Sequence, residues 1–162
     1  HRRQRQMCIR DRSDDEWYAT YDVNVMGVVR TVRHAIGQMV KQPTGGNIVI
    51  TSSVTALGGG SPNVSYLTGK TGLLGLNRHV AVHYARQGIR CNAICPGALE
   101  QTPDWGDHPE PTERKARFER AIPLGRLGTP DDIAPWIAFL LSDESRYATG
   151  THFVIDGGMT AR

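Results

Sequence analysis

The chain of 162 residues has only three cysteines, Cys8, Cys91 and Cys95. Cys91 and Cys95 fall four apart in a run that reads as a strand, which sets them about 13 Å apart, beyond the reach of a disulfide. A sparse, odd set without ligand spacing reads as reduced core thiols and excludes a disulfide-stapled secreted scaffold. The six histidines are scattered, so no metal centre is expected. No apolar run approaches the roughly 18 residues of a membrane helix. The basic start lacks the apolar stretch of a signal peptide. The expectation is a cytoplasmic protein with no membrane partner.

An excess of one charge is also missing from the body of the chain. The formal net charge is +3, but residues 1–12 (HRRQRQMCIRDR) hold five arginines and one aspartate. The rest has 14 basic against 15 acidic residues, a net of −1. The tail has no periodicity, no aromatics and no DNA-reading motif after it, so no nucleic-acid partner is expected. Residues 1–12 read as foreign or artefactual sequence, and 13–162 as the folded portion.

Ser13-Asp14-Asp15-Glu16 forms a capping box and predicts a helix to about Met39, with Trp17, Tyr21, Val25, Val28, Val32 and Ile36 at helical spacing. Asn47–Ser52 is a short β-branched run, the pattern of a buried parallel strand. Val54–Val64 reads as loop, and a long helix follows from about Ser65 to Gln87, stopped by Gly88. Ile89–Cys95 is a second strand ended by Pro96-Gly97. Residues 98–112 are polar and proline-rich, Glu113–Ala121 a short helix. Thr129-Pro130-Asp131-Asp132 opens another helix, ending near Leu141. Thr151–Ile155 is a third strand. Strands alternating with helices predict an α/β fold with a parallel sheet and crossover helices.

Tyr66 and Lys70 lie one helical turn apart on one face. An ammonium beside a phenol favours the phenolate, whose ordinary pKa is about 10. A phenol so tuned can exchange a proton with an alcohol or carbonyl near neutral pH. Ser53 lies thirteen residues before Tyr66, at the carboxyl end of the first strand, and Pro96-Gly97 lies at the carboxyl end of the second. Ligands of open α/β sheets bind beyond those ends. The three features fall on one edge and suggest a carbonyl/alcohol redox site.

In this order the motifs resemble the short-chain dehydrogenase/reductase family over about residues 13–162: Asn24 in DVNVMG, Ser53 in IVITSS, Tyr66 to Lys70, Asn92–Gly97 (NAICPG), Pro123–Ala134 (PLGRLGTPDDIA) and a closing IDGG. The resemblance implies a partial Rossmann-like, doubly wound parallel sheet of about three contiguous strands with helices on both faces. It implies a catalytic tetrad: Tyr66 as general acid/base, Lys70 lowering its pKa and holding the nicotinamide ribose, Ser53 orienting the substrate oxygen, and Asn24 holding a relay water. Tyr66, Lys70, Pro96, Gly97 and Leu99 would face the cofactor, NAD or NADP, and residues 98–121 would form a substrate lid. The implied substrate is a small carbonyl or secondary alcohol, perhaps best typified by 3-oxoacyl compounds, and the implied assembly a homo-oligomer, dimer or tetramer.

The departures are as informative. Thr68-Gly69 precedes Lys70 where the family often has Ala-Ser. Gln101 stands where a cofactor-holding Thr is common, and Thr102 follows. No Gly-rich GxxxGxG turn is present to seat a pyrophosphate on a helix N-terminus. The chain thus resembles the C-terminal portion of the family's domain, and its first strand is expected to expose an apolar edge. The alternative function is an inactive truncated relative serving as a subunit-interaction module.

Overall fold

A computed structural model describes residues 9, 12–61, 63–100 and 111–161. Three parallel strands form one sheet in the order β1-β2-β3: β1 (Gly46–Thr51), β2 (Ile89–Pro96) and β3 (His152–Ile155). β1 pairs with β2 from Gly46↔Ile89 to Thr51↔Ile94, and β2 with β3 from Ala93↔His152 to Pro96↔Ile155. The helices are α1 (Asp14–Tyr21), α2 (Gly27–Met39), α3 (Val64–Tyr84), α4 (Pro111–Ala121) and α5 (Pro130–Leu141). The predicted contiguous three-strand α/β sheet is present.

β2 is buried along nearly its whole length, as a central parallel strand should be. Its side chains alternate between two cores. Cys91, Ala93 and Cys95 pack with Val32 of α2 and Leu73, Leu74 and Val80 of α3. Ile94 packs on the other face with Ile133 and Leu140 of α5. Helices therefore cover both faces. Cys91 and Cys95 are free and buried, and burial pushes the Cys91 thiol up to about 12. β1 is different: of its apolar residues only Ile50 is fully buried, while Ile48 and Val49 are half-buried, and among the described residues its outer edge has no strand partner. That agrees with the expected apolar edge.

Two predicted elements need correction. The first helix is not uniform: five residues, Asp22–Met26, form a π-helical turn between α1 and α2. The apolar spacing conceals this, because one wide turn shifts the face by less than a residue. The expected loop 54–64 contains a 3₁₀ turn at Val54–Leu57, opened by Ser53. The Ser13 capping box is formed: Ser13 N–H donates to Glu16 Oε2 at 2.9 Å and Glu16 N–H to Ser13 Oγ at 3.3 Å. The predicted loop at 98–112 and lid at 98–121 fall partly on residues 101–110, outside the described residues, as do Gln101 and Thr102.

Glycine stops α3 as expected: Gly88 has φ +73°. It also meets Gly45, φ +66°, so closely that a Cβ on Gly45 would lie 2.3 Å from the Gly88 carbonyl oxygen. The chain enters β1 and β2 side by side there, and only glycine pairs with both the backbone angle and the approach.

Candidate active site

Asn63, which the sequence reading passed over, sets the position of Tyr66. It caps α3: its Oδ1 accepts from Tyr66 N–H at 3.1 Å and from the Ser65 hydroxyl at 3.0 Å. The cap satisfies an N–H that the first helical turn would otherwise orphan. An Asn three residues before the tyrosine was the available signal. Tyr66 is thereby fixed in the first turn of α3, half-buried.

One turn on, Lys70 Nζ stands 5.5 Å from the Tyr66 ring centroid and donates to the Thr51 carbonyl at 3.0 Å. Burial lowers its pKa, because desolvation penalises the ammonium. The backbone carbonyl of Lys70 accepts from the Ser52 hydroxyl at 2.8 Å. The end of β1 and the start of α3 are thus laced in both directions, and Lys70 is placed by strand and helix together.

The two adjacent serines have separate roles. Ser52 is buried, with its hydroxyl donated to Lys70. Ser53 has extended backbone, and its oxygen accepts from Thr55 N–H at 3.2 Å. Among the described residues the Ser53 proton is committed to no acceptor, so this hydroxyl can still donate. Thr71 Oγ1 ties the 3₁₀ turn after Ser53 to α3 by donating to Ala56 O at 3.3 Å.

Asn24 sits at the middle of the π-helical turn, half-buried, and its Nδ2 donates to Thr20 O at 3.1 Å. That turn packs on α3, and a Cβ on the buried Gly69 would lie 3.1 Å from Val25 Cγ2. The departure at Thr68-Gly69 therefore has a packing reason: a small residue before Lys70 admits the wide turn that carries Asn24. π-helical turns recur at functional sites.

Gly97 N–H donates to Ile155 O at 2.9 Å, and a Cβ on Gly97 would lie 2.8 Å from both Cα and Cβ of Asp156. The Pro-Gly after β2 thus makes room for the turn after β3. Asp156 locks that turn. Burial alone would raise its pKa, but the Thr160 hydroxyl and the amides of Thr160, Gly158 and Met159 outweigh it and hold the carboxylate low. Leu99 forms a parallel bridge with Gly128 and lines a cavity of 190 Å³ with Leu124, Ile133, Trp136 and Ile155; Pro96 and Gly97 do not line it. The structure brings Ser53, Tyr66 and Lys70 to one edge, sets the Asn24 turn against the same helix, and places Pro96, Gly97 and Leu99 beside the neighbouring strand end. No group of three or more His, Cys, Asp or Glu that could hold a metal occurs among the described residues.

Comparison with known proteins follows this geometry. A family model described as enoyl-(acyl carrier protein) reductase matches residues 2–160. L-rhamnose-1-dehydrogenase of Scheffersomyces stipitis is 41% identical over 142 residues, 88% of this chain and 55% of that protein. A short-chain dehydrogenase/reductase structure from Mycobacterium marinum superposes with TM-score 0.86 at 31% identity, covering 96% of this chain and 60% of that one. A 4-hydroxyisoleucine dehydrogenase complexed with NADH gives TM-score 0.83 at 32% identity, covering 93% and 61%. The chain belongs to the short-chain dehydrogenase/reductase family, a family of oxidoreductases. It spans 55% of the length of that rhamnose dehydrogenase. No helix among the described residues is long and apolar enough to cross a membrane.

Proposed function

We propose that the full-length protein carrying this chain is an NAD(P)-dependent oxidoreductase that interconverts a carbonyl and a secondary alcohol, including 3-oxoacyl-type substrates. The observation that carries this is Lys70. Its ammonium is held at the strand end beside Tyr66, with one N–H on Thr51 O. An ammonium has three donors. The remaining two fit the hydroxyls of a nicotinamide ribose, so the residues present suit the group. When bound, the nicotinamide supplies or accepts the hydride.

The chain's own residues handle the proton and the oxygen. In the reducing direction Ser53 donates a hydrogen bond to the substrate carbonyl oxygen, and Tyr66 transfers its phenolic proton to that oxygen as negative charge develops. In the oxidising direction the Tyr66 phenolate takes the proton back. Lys70 stabilises the phenolate, and Asn24 holds the water through which Tyr66 is reprotonated. Pro96, Gly97 and Leu99 flank the nicotinamide. The test is Tyr66→Phe in the full-length protein: turnover should be lost with cofactor affinity kept, whereas Lys70→Ala should impair both. A phenylalanine variant with near-normal kcat would remove Tyr66 from this role.

Two further readings belong with this one. The full-length protein forms a homo-oligomer, dimer or tetramer, for which sedimentation gives the mass. The 162-residue chain by itself binds dinucleotide weakly and is inactive, a reading favoured by the half-buried apolar edge of β1. Micromolar NAD(P)H affinity by calorimetry would overturn it.

A further inference from the structure

The far end of α3 carries a feature that the redox site does not use. His79 and His83 stand one turn apart in His79-Val80-Ala81-Val82-His83. Val80 and Ala81 between them are buried, which fixes the rotation of the helix, while both histidines are exposed. Their ring centroids are 4.3 Å apart with planes tilted by 43°. His83 lies in the last turn of this 21-residue helix, where unsatisfied carbonyls form the negative end and favour a cation.

Two imidazoles four residues apart on one helix face are the chelating half of the zinc-binding HxxxH arrangement. Two metal–nitrogen bonds of about 2.1 Å at a tetrahedral angle require nitrogens about 3.4 Å apart. Rings already 4.3 Å apart reach that separation by small side-chain rotations. We propose that His79 and His83 form a two-imidazole site for a late first-row divalent ion, tightest for Cu²⁺ and weaker for Ni²⁺ and Zn²⁺. Imidazole suits all three, and their order follows the general affinity series. No third protein ligand completes the pair among the described residues, so water fills the remaining positions. The sequence expectation of no metal centre rested on scattered histidines. A surface chelate needs only these two. The site lies about 20 Å from Tyr66, thirteen residues along the helix at 1.5 Å each. It binds the formed helix better than the unfolded chain, so the ion stabilises α3.

The test is calorimetric titration of the 162-residue chain with CuCl₂, NiCl₂ and ZnCl₂ in a non-chelating buffer, alongside His79→Ala, His83→Ala and His152→Ala. Both α3 variants place a strong helix former at an exposed position, and far-UV circular dichroism checks that they fold. The expected result is an affinity at least about ten-fold weaker for each α3 variant, unchanged for His152→Ala, and a melting temperature raised by the ion only when both histidines are present. A smaller loss from either α3 variant, or an equal loss from His152→Ala, overturns the proposal.

Discussion

At the amino end of the sheet the polar groups are saturated. Arg90 donates to the carbonyls of Ala148 at 3.0 Å, Leu140 at 3.2 Å and Ser142 at 2.8 Å, and Asn47 donates to Leu141 O. These residues surround a cavity of 720 Å³. At the carboxyl end the cavity is smaller, 190 Å³, and the polar groups keep spare capacity: the Ser53 proton is uncommitted among the described residues, and Lys70 uses one printed donor of three. The larger cavity therefore lies where every strong donor already holds backbone together. Spare hydrogen-bonding capacity, rather than volume, marks the end suited to chemistry.

The sharpest way to break this comparison is Tyr66→Phe in the full-length protein. Removing the acid/base should cost about 10²- to 10⁴-fold in kcat, while the urea midpoint of unfolding stays near that of the parent. The next is the serine pair. Ser53→Ala should lower kcat by about 10²- to 10³-fold, the scale of losing one donor to a developing oxyanion, with little loss of stability. Ser52→Ala should do the reverse. It leaves the Lys70 carbonyl without its buried donor and costs about 1 to 3 kcal/mol in denaturant unfolding. Equal kinetic effects from both serines would erase the distinction drawn here.

Arg90→Ala probes the saturated end. Three carbonyls lose a charged donor, so unfolding should become easier by about 2 to 3 kcal/mol, and kcat per folded molecule should not change. A selective kcat loss without destabilisation would move chemistry to the amino end.

The legible parts of this site are the local ones. Tyr66 and Lys70 share a face because four residues make a turn, and Ser53 follows a β-branched run that can only be a short strand. The sheet order of three contiguous strands, by contrast, came from family resemblance rather than from periodicity. The contrast between Ser52 and Ser53 was not legible, because it rests on a hydrogen bond to a carbonyl 18 residues away. Arg90 looked like an ordinary strand residue, since its acceptors lie 50 to 58 residues further on. The π-helical turn at Asn24 left the apolar spacing almost undisturbed. Gly69 gained its meaning only from Val25 on another element.

The smallest expected effect is a slope. Burial sets the folded-state pKa of Lys70 below the ordinary 10.5. Between the folded and unfolded values the unfolded chain binds more protons, so stability rises with pH. Below the folded value Lys70 is charged in both states and the desolvation cost is fully present. As pH climbs toward 10.5 that cost is relieved. Lys70→Met carries no titrating group there, so the stability-against-pH curve of the parent, from urea unfolding between pH 8 and about 10.5, should climb more steeply than that of the variant. The difference is bounded by about 1.4 kcal/mol per pH unit, one proton's worth. Parallel curves would mean that the ammonium is not held out of water at the carboxyl end, and would remove the physical basis for its influence on Tyr66.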